Sequence, residues 1–240
     1  LTFCTGGSIL TGTERLRIAS NGNVSIGNNP TVHSDTIFHV EKSSGETNVK
    51  FEGSDTMGAR LSLQNNDTSS TANNQINFND AGGQSTSAII GYNTDQTNNY
   101  GELVFATRSA QGSPPEERMR ITKDGEVLVG TPNKVNTSPS KFQVAATDAT
   151  GSAILARFNA SVYSSYLDFY KSRNNTLGGA TVVNNNDHLG ALRFYGADGS
   201  NSGYTTAAEI YGSCDGGSGS SGDMPGRITF HTRPDGAGQS

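Results

Sequence analysis

The sequence has no tryptophan, few cysteines and no long apolar run, and each absence excludes a class of protein. Cys4 and Cys214 stand far apart, and neither belongs to a CxxC or CxxH pair. Their spacing argues against a zinc site and gives no support for a disulfide framework. No apolar run approaches the ~20 residues that a membrane-spanning helix needs. The sequence therefore disfavours a metal-stabilised, disulfide-stapled or helix-spanning protein.

Apolar residues and positive charge are also scarce. Hydrophobic residues make up 32% of the chain, below the ~45–50% of globular chains, a figure that also counts glycine. Such polar chains are often disordered, but the net charge is only −5 and short β-branched and aromatic runs recur throughout. We therefore expect thin strands, long polar turns and a core that neighbouring chains complete. The mildly acidic pI of 5.3 argues against nucleic-acid binding, which usually needs a basic surface.

One stretch of the chain occurs twice and organises the rest. Glu117–Gly130 reads ERMRITKDGEVLVG, and Glu14–Gly27 reads ERLRIASNGNVSIG. Two short alternating runs that meet at Asp-Gly or Asn-Gly predict a β-hairpin. From residue 14 to residue 117 is a displacement of 103, and from 27 to 130 it is again 103. A hairpin that recurs about once per domain length predicts a tandem array of modules.

Other short apolar segments recur in the same order, and their displacement rises overall from 104 (Phe38 to Phe142) to 125 (Leu103 to Ile228). The increases fall within Gly-, Asn- and Ser-rich stretches. Insertions confined to surface loops are how a β-module diverges. We therefore expect residues 1–30 to end a preceding module, 31–135 to form a complete module, and 136–240 a second one, truncated before its hairpin, in a longer array. The recurring segments are Ile37–Val40 and Lys141–Val144, Val49–Phe51 and Ala156–Phe158, Arg60–Gln64 and Tyr166–Tyr170, Gln75–Phe78 and Ala191–Phe194, Ala88–Gly91 and Ala208–Tyr211, and Gly101–Arg108 and Gly226–Arg233.

The spacing of these segments predicts the fold class. Turn residues punctuate the chain regularly and no 3.6-residue apolar period is sustained, which favours an all-β fold. We expect tandem antiparallel β-sandwich-like modules, and the thin strands and few apolar residues predict a trimer. An isolated hairpin is only marginally stable in water, so its recurrence implies packing against a partner. Three chains that share one axial core would supply that partner.

The two arms of the hairpin can face each other in two ways. A two-residue Asn21-Gly22 loop would turn their apolar side chains to opposite faces. A three-residue Ser20–Gly22 loop, with Gly22 left-handed in a G1 bulge, brings them to one face, and we predict this loop. The side chains that then meet are Leu16, Ile18, Val24 and Ile26 in the first copy, and Met119, Ile121, Val127 and Val129 in the second, where Gly125 takes the place of Gly22.

The same loop places the arginines of the hairpin on the opposite face. They are Arg15, Arg17, Arg118 and Arg120. As solvated edge charges they would discourage aggregation. Alternatively, they pair with Glu14, Glu116, Glu117 or Asp side chains of an adjacent chain. Both interpretations stay open, and they are compatible.

The motif at Glu14–Gly27 and Glu117–Thr131 resembles a hairpin that punctuates tail-fibre and related structural proteins of bacteriophages, notably those of marine cyanobacteria. The segments Phe105–Arg108 and Phe230–Arg233 resemble the stretch that precedes it there. Leu128-Val129 replaces the usual Gly-Ile. The resemblance implies an elongated homotrimeric fibre of β-rich modules, carried on the virion and extracellular after host lysis. Its implied partners are copies of itself, other tail or baseplate proteins, and a host surface glycan or protein, without membrane insertion.

No constellation of side chains predicts catalysis, a cofactor or a metal. A glycosidase needs two carboxylates that flank a bound sugar, whereas the acidic residues are scattered over strands and loops. The histidines form no HxH or HExxH group. We therefore expect a protein that is not an enzyme and has no cofactor. The residues considered are Glu116, Glu117, Asp168, Asp215 and Asp223, and His33, His39, His188 and His231.

Two tyrosines are candidate glycan contacts. Aromatic residues are denser in the second module, and on alternate strand positions they normally pack in a core, which is the interpretation we favour. Tyr163 and Tyr204 or their neighbours could instead form a surface on which sugars stack.

These observations predict a non-enzymatic structural segment of a phage tail fibre, which extends from the virion and supports host-cell recognition and attachment. A polysaccharide-degrading tailspike is one alternative, but it would need a longer parallel β-helix with clustered acids, and the irregular module spacing gives no such coil period. A bacterial surface adhesin built from β-modules is another, and the hairpin motif ranks it lower.

Overall fold

The computed structural model describes residues 1–6, 12–27, 36–40, 47, 49–52, 60–67, 69, 72–135, 140–148, 150–199, 203–216 and 222–235. All regular structure in these ranges is β-strand, which confirms the predicted all-β class. None of them contains a helix long and apolar enough to cross a membrane. The chain divides into two compact units, Leu1–Gly151 and Ser152–Ser240. The predicted module boundaries stay predictions, since residues 28–35 and 136–139 lie outside the described ranges, as does His33.

The first unit contains two sheets in which the strands follow one another in chain order. Neighbouring strands are antiparallel, except that the last strand of each sheet joins in parallel. The first sheet consists of β1 (Thr2–Thr5), β2 (Thr13–Ile18), β3 (Val24–Ile26) and β4 (Phe38–Val40). The second consists of β5 (Asn73–Asn79), β6 (Ser85–Asp95), β7 (Tyr100–Thr107), β8 (Glu116–Ile121), β9 (Val127–Val129) and β10 (Phe142–Val144).

The second unit contains a third, antiparallel sheet of β11 (His188–Ala197), β12 (Tyr204–Cys214) and β13 (Gly226–Thr232). It repeats β5–β7, as the recurring segments predict. One detail of the comparison between repeats was wrong. The alignment of Ala88–Gly91 with Ala208–Tyr211 matches Ile90 to Ile210. The ladders place Ile89 opposite Phe105 and Ile210 opposite Phe230, so Ile89 is the counterpart. Two adjacent isoleucines made the sequence ambiguous by one residue, and only cross-strand pairing fixes the register.

Four segments that we predicted as strands have no strand pairing. They are described but lie outside every ladder: Val49–Phe51, Arg60–Gln64, Ala156–Phe158 and Tyr166–Tyr170. An alternating pattern makes a strand only where a neighbouring edge can pair with its backbone groups. Tyr166–Tyr170 nevertheless contacts the third sheet, since a Cβ on Gly190 would lie 2.6 Å from the side chain of Phe169. This segment therefore adds a sandwich-like layer over the sheet without joining it.

The best-buried side chains of the second sheet lie on one of its two faces. Val104 is opposite Arg120, and Arg120 is opposite Leu128, so the three share a face on which Val104 and Leu128 are fully buried. Val135 lies over this face, because Gln143, opposite Leu128, accepts a hydrogen bond from the Val135 amide at 2.9 Å. The chain itself thus covers this face.

Candidate functional site

The two hairpins have the predicted geometry. Leu16 lies opposite Ile26 in the first copy, and Met119 lies opposite Val129 in the second. The glycines of the two loops have φ angles of 88° at Gly22 and 72° at Gly125, which glycine adopts without steric cost. The residues that flank each three-residue loop are joined by a backbone hydrogen bond, at 2.9 Å in both copies. The three-residue loop and the shared apolar face are therefore confirmed.

A β-bulge in each hairpin determines where the arginines lie. Phe105 is opposite Met119 but Ala106 is opposite Glu117, so Arg118 is an extra residue without a ladder partner. The extra residue reverses the alternation of the strand. Glu117 and Arg120, three positions apart, therefore come to the same face.

Arg17 and Arg120 form ion pairs on the face opposite the apolar side chains that meet within each hairpin, as predicted. Arg17 binds Glu14. Arg120 binds Glu117 through Nη2 at 2.6 Å, also binds Glu102, and its guanidinium carbon lies 5.7 Å from the ring centre of Tyr92. The hydrogen bond to Glu117 raises the pKa of Arg120 above its usual value.

The structure adds one detail to the arginine prediction and corrects another. Within the single chain, the bulge brings Glu14 and Glu117 to the arginine face as ion-pair partners, and pairing with an adjacent chain stays a prediction. Arg15 and Arg118, the bulge residues, do not share that face. Their Nε atoms donate to Thr5 at 2.8 Å and to Thr107 at 3.0 Å, and these threonines alternate onto the face of Phe3 and Phe105. Sequence spacing alone gave no sign of the bulge.

Each sheet carries one continuous line of apolar side chains across its strands, which we call its apolar row. Residues that are directly opposite in neighbouring strands share a face, and we call the face that bears the row the apolar face. The rows are Phe3, Leu16, Ile26 and Val40 in the first sheet, Ile76, Ile89, Phe105, Met119, Val129 and Val144 in the second, and Leu192, Ile210 and Phe230 in the third.

The apolar faces are partly open to water in the single chain. Most residues of the rows are half-buried, and the exposed ones are Phe3, Ile76, Leu192 and Phe230. On the second sheet Ile76 is 42% exposed, and Phe78, Leu103 and Phe142 are exposed as well. At 150–250 Å² for a large side chain, these four leave roughly 400 Å² in water. On the third sheet Leu192, Phe194, Ile228 and Phe230 leave roughly 500 Å² by the same measure, and Phe230 is 75% exposed. The largest apolar patch on a typical monomer is about 300–600 Å². The exposed apolar area of each face is of that order, and on the second sheet it is divided among β5, β7 and β10.

The apolar face of the third sheet contains an open cleft of about 460 Å³. Its floor is a pair of glycines that face each other across the ladder, Gly190 and Gly212, and its wall is the segment from Leu167 to Tyr170. The side chain of Phe169 occupies the space that a Cβ on Gly190 would need. The chain therefore covers the glycine end of this face and leaves Phe230 open. The sequence analysis missed the cleft, because the pairing of the two glycines is visible only in the register.

The candidate glycan contacts lie apart from the strand ladders or at their ends. Tyr163 is 63% exposed in a segment outside the strands, with the guanidinium of Arg157 at 5.8 Å from its ring centre. Tyr204 is 49% exposed and opens β12, where it pairs with Ala197. Neither ring is buried in the single chain, and the core interpretation, which includes a core completed by neighbouring chains, stays a prediction. Their contact with glycans stays a prediction.

Two histidines meet at one ring, because His188 and His231 lie 4.3 Å and 5.5 Å from Tyr211 between ring centres. Among the residues that the structure describes, no group of three or more His, Cys, Asp or Glu side chains could hold a metal ion. Cys4 is exposed, Cys214 is buried, and both are free thiols. No protein-family model and no curated protein matches the chain. The repeated apolar faces are therefore the feature from which a function can be argued.

Proposed function

We propose that the chain is a non-enzymatic structural segment of a phage tail fibre, which extends from the virion as a homotrimer and supports host-cell recognition and attachment. The recurrence of the same apolar row in every sheet carries this proposal. A row that is repeated along the chain and mostly half-buried in the single chain suits a protein whose core is shared with other chains.

The joint between successive repeats also suits a fibre. In both complete copies the first strand of the next repeat pairs in parallel with the last strand of the hairpin, β4 with β3 and β10 with β9. The backbone contact is the same in each, since Val24 N donates to Ile37 O at 2.7 Å and Val127 N donates to Lys141 O at 2.9 Å. The same parallel pairing therefore connects the hairpin to the next repeat in both copies. The partners follow from the proposal: further copies of the chain, other tail or baseplate proteins, and a host surface glycan or protein.

Immuno-gold electron microscopy tests this proposal. Antibodies raised against the purified chain are applied to phage particles whose genome encodes it. We expect gold along the tail fibres. Label on the capsid head would contradict a place in the fibre. So would the absence of label on intact particles, if the same antibodies detect the protein after those particles are denatured.

The non-enzymatic part of the proposal has its own test. The purified chain is incubated with host-surface polysaccharide, and reducing ends are measured over time beside a heat-denatured sample of the same chain. We expect no difference between the two. Release of oligosaccharide by the native sample alone would favour the tailspike alternative.

A further inference from the structure

The loop of the first hairpin carries the only Asn-Gly pair in the sequence, Asn21-Gly22. Both residues are exposed. Gly22 has a positive φ angle of 88° and open space around it, since a Cβ built there would meet no described atom within 4 Å. Water and hydroxide therefore reach the side-chain amide of Asn21 and the peptide nitrogen of Gly22 together.

The side-chain amide of Asn21 is fixed against the backbone that follows it. Its Oδ1 accepts a hydrogen bond from the backbone amide of Asn23 at 3.2 Å, which closes an Asx turn around Gly22. The turn aligns the amide carbon of the side chain with the peptide bond of Gly22. A donor at Oδ1 also stabilises the negative charge that develops on this oxygen when a nucleophile adds to the amide carbon. The arrangement therefore favours attack by the nitrogen of Gly22.

We propose that Asn21 is a site of deamidation in the folded chain. Hydroxide removes the proton of the Gly22 amide, and the nitrogen forms a bond to the side-chain amide carbon of Asn21. The bond from this carbon to the side-chain nitrogen breaks, and ammonia leaves with a proton from water, which regenerates hydroxide. Another water opens the resulting succinimide at either of its carbonyl carbons. The products are aspartate and isoaspartate, and the net co-reactant is one water.

One hydrogen bond opposes the reaction. The Gly22 amide donates to Ala19 O at 3.0 Å, and this contact must open before the nitrogen can attack. It lies at the tip of an exposed loop, where backbone hydrogen bonds open at low cost. Deamidation of the folded chain is therefore slower than that of the unfolded chain, but it does not require unfolding.

The residue at the same position of the second hairpin resists this chemistry. Asp124 precedes Gly125 there, and a hydrogen bond from Lys123 lowers the pKa of its carboxyl. The ionised carboxylate repels an incoming nucleophile and has no ammonia to release. The modification is therefore confined to one of the two hairpins.

The second hairpin also directs the equivalent backbone amide elsewhere. Glu126 stands in the place of Asn23, and its amide donates to Thr122 Oγ1 at 3.2 Å. In the first hairpin the place of Thr122 is taken by Ala19, which has no hydroxyl. The Asn23 amide is thus left for Oδ1 of Asn21. One side chain before the loop therefore decides whether an asparagine in the loop is activated.

Isoaspartate is the product that changes the hairpin. It lengthens the backbone of the three-residue loop by one carbon, whereas the hydrogen bond from Ala19 N to Asn23 O holds the ends of that loop at 2.9 Å. This bond closes the two arms of the hairpin. Formation of isoaspartate therefore loosens the first hairpin and leaves the second intact.

Peptide mapping tests the proposal. The purified chain is kept folded in mildly alkaline buffer and digested with trypsin at intervals, and the peptide that begins at Ile18 is fragmented in a mass spectrometer. A urea-denatured sample is followed in parallel. We expect Asn21 to convert to aspartate and isoaspartate in the folded chain, ahead of the other asparagines of this peptide. An Asn21 that stays intact in the folded chain after the denatured chain has reacted completely would overturn the proposal.

Matched variants test the role of the Asn23 amide. Ala19→Thr supplies the hydroxyl of the second hairpin, and we expect it to slow the reaction at Asn21 roughly fivefold, the effect of one hydrogen bond. Asp124→Asn places an asparagine in the second loop, where it should react more slowly than Asn21. Adding Thr122→Ala should raise its rate to that of Asn21. In urea these differences should vanish. Differences that persist in urea, or folded-chain rates that do not respond to the hydroxyl, would overturn the assigned role.

Discussion

At the scale of single residues, two features exclude a side chain at Gly130, whereas only one disfavours a side chain at Gly125. Both have positive φ angles, 82° and 72°. A Cβ on Gly130 would also lie 2.4 Å from the carbonyl oxygen of Ala145, whereas a Cβ on Gly125 would meet only the Lys141 amine at 3.8 Å. Gly130→Ala should therefore lower the free energy of unfolding by about 3 kcal/mol and Gly125→Ala by about 1 kcal/mol. Urea denaturation at one protein concentration measures the free energy of unfolding of both variants. Equal losses would mean that Ala145, just after β10, moves away from the added Cβ without cost.

Arg120 and Arg17 occupy equivalent positions with different surroundings. The side chain of Arg120 is 17% exposed and holds two carboxylates, whereas that of Arg17 is 45% exposed and binds Glu14. Arg120→Met leaves Glu102 and Glu117 without a counter-charge, which should cost about 2–4 kcal/mol of unfolding free energy. Arg17→Met, the matched control, should cost clearly less, because exposed pairs contribute little. Similar losses in urea denaturation would contradict the role of the second carboxylate.

The Arg173–Asp187 pair predicts an acid-sensitive contribution to stability. Arg173 donates two hydrogen bonds of 2.6 Å to this carboxylate and, as the largest cause, lowers the pKa of Asp187 well below its usual value. A carboxyl whose pKa is lowered by folding stabilises the protein above its unfolded pKa of about 3.9, and that contribution is lost as the pH falls below it.

Asp187→Asn should reveal this contribution. We expect the difference in unfolding free energy between the unsubstituted chain and the variant to be constant from about pH 7 to 5, and to shrink as the pH falls toward about 2. Arg173→Gln should give the same pH profile, because it removes the other half of the pair. Urea denaturation at several pH values measures it. A difference that stays constant from about pH 5 down to about pH 2 would assign the effect to packing.

At the scale of elements, the parallel strand β10 depends on few backbone contacts. The Ala145 amide donates to Val129 O at 3.0 Å, and Ala145→Pro removes this donor. We expect the Val127 amide, which donates to Lys141 O, to exchange its hydrogen roughly five- to tenfold faster, as the loss of ~1 kcal/mol implies. Ala146→Pro, one residue further on, is the control. Unchanged exchange at Val127 would show that β10 is held by its side chains.

The hairpins could be predicted from the sequence because everything that determines them is local. Alternation, the Asn-Gly or Asp-Gly turn and the parity of the loop all lie within the 14 residues from Glu14 to Gly27. The bulge at Arg118 could not, since it is defined by a shift against β7, from Phe105–Met119 to Ala106–Glu117. The arginine contacts follow from that shift. A pairing partner outside the segment therefore decided which side chains meet.

Non-local pairing also explains the other differences. The segments at Phe38 and Phe142 were predicted as strands, but their parallel addition to the preceding hairpin was not, because a parallel partner is reached only through a long connection. Val49–Phe51 and Tyr166–Tyr170 have strand-like patterns, yet no edge pairs with them in the single chain. The apolar rows were predicted in the hairpins alone. Their extension across six strands of the second sheet required the register of every ladder.

At the scale of the whole molecule, an interface built from the apolar faces makes stability depend on protein concentration. Association that involves only the folded chain raises the denaturation midpoint as concentration increases. Phe230→Lys places a charge where the side chain is 75% exposed in the single chain, so folding of the unit should survive. Between copies, the lost burial of about 3 kcal/mol should raise the dissociation constant roughly a hundredfold.

His231→Lys is the matched control for this prediction. His231 is exposed, adjacent to Phe230, and on the opposite face of β13. It carries the same added charge without touching the apolar face, so the concentration dependence of the midpoint should match that of the unsubstituted chain. Sedimentation velocity over a range of concentrations measures the dissociation constants of all three proteins. Equal weakening by both lysines would assign the effect to charge in general, and only a selective effect of Phe230→Lys ties association to the apolar row.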